Sequence, residues 1–167
     1  LIGLMLIILL VSTPAVTAQE MLFKMDDPAG DDYGPGTYIY PTSEQFAPFE
    51  KLFDLMKFKV KEGDSNYIFR LKFGTVTNPW HAPYGFSHQL IQIYIDNQDG
   101  GATTVFKKGA NVSFNEAAPW NKLIKITGWN IKVFDYQDDP SQETKPATKA
   151  EAKVLKDEQT IQARIPK

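Results

Sequence analysis

The sequence predicts an all-β protein, an antiparallel β-sandwich, on three observations. Apolar residues recur at every second position in several separate stretches. Gly, Pro, Asn and Asp punctuate the gaps between those stretches. Past the N-terminal segment, no ten residues in a row carry the apolar stripe of an amphipathic helix. The 167 residues are 43% hydrophobic, enough for one domain with its own core.

Taken in order, residues 1–11 (LIGLMLIILLV) form an apolar run followed by Ser12, Thr13, Pro14 and then AVTA, with Val16 and Ala18 at the small positions before a cleavage. This is the pattern of a secretory signal peptide, already under way at Leu1, so residues 1–18 are set apart and the domain is residues 19–167. A membrane anchor is the alternative, and a span needs about 20 apolar residues. Residues 22–25 make a short first strand. Met56, Phe58 and Val60 then alternate with three lysines, Tyr67, Phe69, Leu71 and Phe73 alternate with Ile68, Arg70 and Lys72, and Ile91, Ile93 and Ile95 alternate with Leu90, Gln92 and Tyr94. Trp129, Ile131 and Val133 repeat the pattern, as do Ile161, Ala163 and Ile165. Between these last two, residues 137–159 mix Lys with Asp and Glu, hold two prolines and no aromatic, and read as a solvated charged loop. The sequence stops directly after a strand pattern, so the sandwich is expected to be truncated at both ends.

Composition removes several chemistries. With no Cys there is no disulfide framework, thiol nucleophile or thiolate metal site, and two histidines, His81 and His88, are a poor start for a zinc hydrolase. A net charge of -2 gives no electrostatic case for nucleic acid. Neither a GxSxG elbow nor a P-loop is present, and no pair of carboxyls stands out as a glycosidase acid and its partner, so the chain is not expected to be an enzyme.

Two long loops carry the chemistry that remains. Residues 27–41 (DPAGDDYGPGTYIYP), with Asp26 before them, gather Asp27, Asp31 and Asp32 among glycines, and Asp54 is a candidate further ligand. Carboxylates so close repel one another unless a cation neutralises them, and hard oxygens on a Gly-turned loop suit calcium. The alternative is an Asx-turn loop whose carboxylates cap backbone N–H groups. Asp96, Asn97 and Asp99 form a weaker cluster of the same kind. Residues 78–88 (NPWHAPYGFSH) set Trp80, His81, Tyr84 and His88 together, with Trp120 elsewhere. Flat rings beside hydrogen-bonding groups suit a sugar, whose C–H face packs on an aromatic while amides and imidazoles take its hydroxyls. Trp80 and Tyr84 are then stacking platforms, His81 and His88 hydroxyl partners. The alternative is that these aromatics are core residues, above all Trp129 at the start of an alternating strand. A haem site would need an axial pair such as Met25 with one of the histidines, to which nothing points. Asn111-Val112-Ser113 is a glycosylation sequon.

The strings DPAGDDYGPGTYIYPT, FDLMKFKV and NPWHAPYGFSHQLIQIYID, with Gly100-Gly101 and residues 120–129, closely resemble the C-terminal binding domain of glucodextranase, a DOMON-like family also found on amylopullulanases and cell-surface proteins. The resemblance runs from about residue 21 to the end. It implies a jelly-roll-like β-sandwich that is secreted or held at the cell surface, noncatalytic, and bound to polysaccharide or cell-envelope glycan beside a fused or co-secreted glycoside hydrolase. A structural surface or assembly domain is the second reading, and a haem-binding module of the DOMON type the third.

Overall fold

The computed structural model describes residues 19–32, 39–106, 112–138, 147 and 149–167, and among them there is no helix. The signal-peptide segment, the middle of the first long loop and Asn111 of the sequon lie outside the described residues. Eight strands form two sheets: β1 (Glu20–Asp26), β2 (Leu55–Glu62), β3 (Asn66–Phe73), β4 (Ile91–Ile95), β5 (Lys122–Ile126), β6 (Ile131–Asp135), β7 (Glu151–Val154) and β8 (Thr160–Pro166). One sheet has the order β1-β2-β3-β8-β7, the other β4-β5-β6, and every pairing is antiparallel. The architecture is the expected antiparallel sandwich.

Period-two patterning explains which faces meet. Phe69, Leu71 and Phe73 of β3 and Ile161, Ala163 and Ile165 of β8 face Ile91, Ile124, Ile126 and Ile131 of the smaller sheet in the main core. Phe58 and Val60 of β2 pack against it while the intervening lysines stay at the surface side. A second cluster, Phe106, Trp120, Leu123 and Phe134, covers the other face of the three-stranded sheet. Strand β5 is therefore buried on both faces, which removes the alternation that marks a half-buried strand. It has no counterpart in the sequence reading.

The charged loop at residues 137–159 is corrected by the structure. Its C-terminal part is β7, paired to β8 through Glu151–Arg164 and Val154–Ile161, with Ala152 in the core. The β7–β8 turn is held by Asp157, whose carboxylate accepts the Gln159 and Thr160 N–H groups and the Thr160 hydroxyl. At the opposite edge, β1 leaves Met21, Leu22 and Phe23 about half exposed. Between that edge and β4 the sandwich is open, with an apolar groove of ≈ 640 Å³ lined by Phe23, Phe58, Tyr67, Ile93 and Tyr94 among others.

Candidate functional site

Residues 78–88 connect β3 to β4 across one end of the sandwich, and their backbone is tightly determined. Asn78 accepts the Ala82 N–H at 2.8 Å and donates to the Ala82 carbonyl at 3.0 Å, closing a ring of hydrogen bonds around His81. His81 takes a left-handed conformation, φ 51°, uncommon for a residue with a Cβ and a place where a loop stores strain. The exposed His81 side chain thus sits on a fixed turn beside Trp80.

This loop is clamped to the β5–β6 turn, residues 127–130. The Tyr84 N–H donates to the Gly128 carbonyl at 2.9 Å, and the Gly128 Cα lies so close that a Cβ there would stand 1.7 Å from the Phe86 carbonyl oxygen. Only glycine permits this approach. Within the turn, the Thr127 hydroxyl accepts the Trp129 and Asn130 N–H groups, and the Thr127 N–H donates to the Asn130 carbonyl. Two indoles are brought together as a result. Trp80 and Trp129 lie near-parallel, 24° apart with centroids 6.4 Å apart, and remain 39% and 48% exposed.

Trp129, expected in the core, is instead an exposed aromatic beside Trp80. Its phase with Ile131 pointed inward, but it belongs to the turn and not to β6, so its ring is released to the surface. The sequence TGWN between two apolar runs is the signal that finds it: turn formers straddling a large aromatic.

The other candidates divide. Trp80 is exposed on one side and backed on the other by Phe46 and His88, both edge-on. His88 is buried, 6% exposed, walled by Phe46, Phe49 and Trp80, with Nδ1 2.6 Å from the Thr77 hydroxyl. Burial holds its imidazole below the ordinary value, against an opposing influence of the Gln45 backbone. It supports Trp80 from behind and does not face a guest, which corrects its reading as a hydroxyl partner. Tyr84 is half-buried with its ring against the main core, so it pins the loop. Trp120 is corrected outright: it is 2% exposed, edge-on to Tyr94 and Phe106, and its indole N–H donates to the Thr104 carbonyl at 2.8 Å. The hydrogen bond lets a large polar-tipped ring serve as core.

Of the acidic candidates, Asp27 is half-buried on a backbone N–H bonded to Met56 and Asp31 is exposed, while Asp32 and Asp54 are drawn inward. Asp54 is 1% exposed and accepts the Gly30 N–H at 2.9 Å. Burial pushes the Asp32 carboxyl up, and the Asp54 charge adds to it. Among the described residues no three His, Asp or Glu side chains form a ready-made metal site. The turn at Asp96, Asn97 and Asp99 is instead organised by Asn121, whose side-chain Oδ1 accepts the Asn97 and Gln98 N–H groups.

Comparison with known proteins gives one family. Its model, described as the C-terminal binding-module, SLH-like, of glucodextranase, matches residues 22–167. No curated protein sequence matches the chain.

Proposed function

The chain belongs to the family of C-terminal, SLH-like binding modules of glucodextranase, and on that premise we propose that it is a noncatalytic carbohydrate-binding module whose platform is the Trp80–Trp129 pair. The observation that carries this reading is the pair itself: two large rings, near-parallel and about 40–50% exposed, at adjoining ends of two clamped loops. Burying exposed indoles on folding would have been the cheaper arrangement for a small sandwich.

The geometry also argues for how a sugar lies. A ring inserted between the two indoles needs two contacts of roughly 3.5–4.0 Å each. The plane-to-plane gap cannot exceed the 6.4 Å between centroids, so the guest lies across the pair. A flat support of this kind suits a polymer, polysaccharide or cell-envelope glycan, better than a small sugar needing walls. Each residue of such a polymer gives up little apolar area and exchanges good water hydrogen bonds, so affinity of about micromolar to millimolar is expected. Export and a companion glycoside hydrolase, fused or co-secreted, fit the same reading.

The test is retention of the purified chain on insoluble starch, dextran and cell wall, with soluble oligosaccharide as competitor. Trp129→Ala is expected to weaken retention about five- to tenfold, roughly 1–1.4 kcal/mol for one stacked ring. Retention that no soluble oligosaccharide displaces, or that Trp129→Ala leaves intact, would point to a protein contact and overturn the assignment.

A further inference from the structure

We propose that the chain binds one calcium ion between the carboxylates of Asp32 and Asp54, outside the aromatic platform. Asp54 is 1% exposed, and although its Oδ2 accepts the Gly30 N–H, its Oδ1 has no hydrogen-bond partner. Oδ2 of Asp32 is likewise buried and unpartnered. Buried polar atoms are satisfied almost without exception, and a carboxylate oxygen is among the most costly to leave bare. Here two such oxygens occur on two carboxylates, and the Asp54 charge is felt at Asp32. Among the described residues Lys51, whose charge opposes that of Asp32, forms no ion pair with either carboxylate.

The surroundings fix the position of Asp54. Gly30, at φ 87°, turns the loop so that its N–H fixes Asp54 from one side. On the other side the Gly74 N–H donates to the Asp54 carbonyl at 2.8 Å, and a Cβ at Gly74 would stand 3.0 Å from Oδ2 and 2.7 Å from the Lys51 Cβ. Asp54 is thereby held at its backbone and at Oδ2, while Oδ1 is left without a hydrogen-bond partner. Calcium accepts six to eight oxygens in flexible geometry, so two carboxylates can be completed by carbonyls and water. With only two charges supplied, the dissociation constant belongs with those of extracellular modules, about 0.1–1 mM.

The experiment is thermal unfolding of the purified chain in EDTA and then in about 10 mM calcium, with calorimetric titration for stoichiometry. One ion per chain and a melting temperature higher by about 3–10 °C in calcium are expected. Asp54→Asn keeps an acceptor for Gly30, Asp32→Asn keeps the size of the half-buried side chain it replaces, and each is expected to lose most of the shift. Asp99→Asn is expected to keep it. An unchanged melting temperature, a shift that survives in both Asp32→Asn and Asp54→Asn, or its loss in Asp99→Asn would each overturn the site. None of these results depends on glycan, so they stand apart from the test of Trp129.

Discussion

Replacing Gly128 by Ala tests the clamp that assembles the platform. The added Cβ would meet the Phe86 carbonyl oxygen at 1.7 Å and the Ala82 Cβ at 2.7 Å. To reach 3.0 Å, below which real Cβ contacts are essentially not found, the two loops must part by about 1.3 Å. Both partners are backbone or a buried Cβ, so no flexible side chain can swing aside. Overpacking of this kind costs about 1–3 kcal/mol, and parting the loops also breaks the Tyr84 N–H to Gly128 carbonyl bond, a further 0.5–1.5 kcal/mol or so. The total of about 2–4 kcal/mol corresponds to a melting temperature lower by roughly 5–15 °C for a domain of this size. Far-UV circular dichroism and tryptophan fluorescence follow it, and glycan retention measured well below the transition should fall as well. A variant that melts within about 2 °C of the parent, or that keeps full retention, would refute the claim that Gly128 sets the spacing of the two indoles.

Two further outcomes follow from the charged groups. His88 is held neutral by burial, so its contribution to stability is fully present above its unfolded pKa of about 6.5 and declines as pH falls through the lower folded value. Melting temperature should drop between pH 7.5 and 5 in the parent and less so in His88→Gln. Burial works upward on Asp157, but the hydrogen bonds from Thr160 and Gln159 outweigh it and leave the carboxyl below its ordinary value. Asp157→Ala is expected to cost about 1–2 kcal/mol at neutral pH, and that difference should vanish as acidification passes through the native pKa of Asp157.

Much of the sandwich was legible because the two faces of its strands differ in residue type. In β2, β3, β4 and β8 one face is apolar and meets the core while the other carries mostly lysine, arginine, threonine, glutamine or tyrosine, buried though Thr160 and Gln162 are in β8, and that contrast is what alternation detects. Strand β5 was not legible because Ile124 and Ile126 face the main core while Leu123 faces the second cluster, so apolar residues occupy both faces. Strand β7 escaped for the opposite reason. Ala152 and Val154 are small beside Glu151 and Lys153, and the strand exists because β8 offers it a hydrogen-bonded edge. At the candidate site, residue type and loop position were enough to expect Trp80 and His81 at the surface, where both lie, but burial is a tertiary quantity. Trp120 follows a proline in what reads as a loop, yet the exchange of backbone hydrogen bonds with Ala102 draws it inside. Trp129 reads as strand, and a hydrogen-bonded turn that takes in both Trp129 and Asn130 before β6 begins at Ile131 turns it out.

The apolar opening between β1 and β4 and the exposed Met21, Leu22 and Phe23 lie on an edge strand, a surface that pairs readily with another chain. It is distinct from the aromatic platform, whose lining residues it does not share.

Of the three tryptophans, Trp80 and Trp129 are exposed in the proposed platform and Trp120 is buried. Titrating soluble glucan or a cell-wall oligosaccharide into the 15N-labelled protein while following the three indole N–H resonances measures this directly. The Trp80 and Trp129 signals should move together along one binding curve while the Trp120 signal, bonded to the Thr104 carbonyl, stays in place. Movement of Trp120 alone, or three stationary signals while the protein is retained on that glycan, would contradict the account.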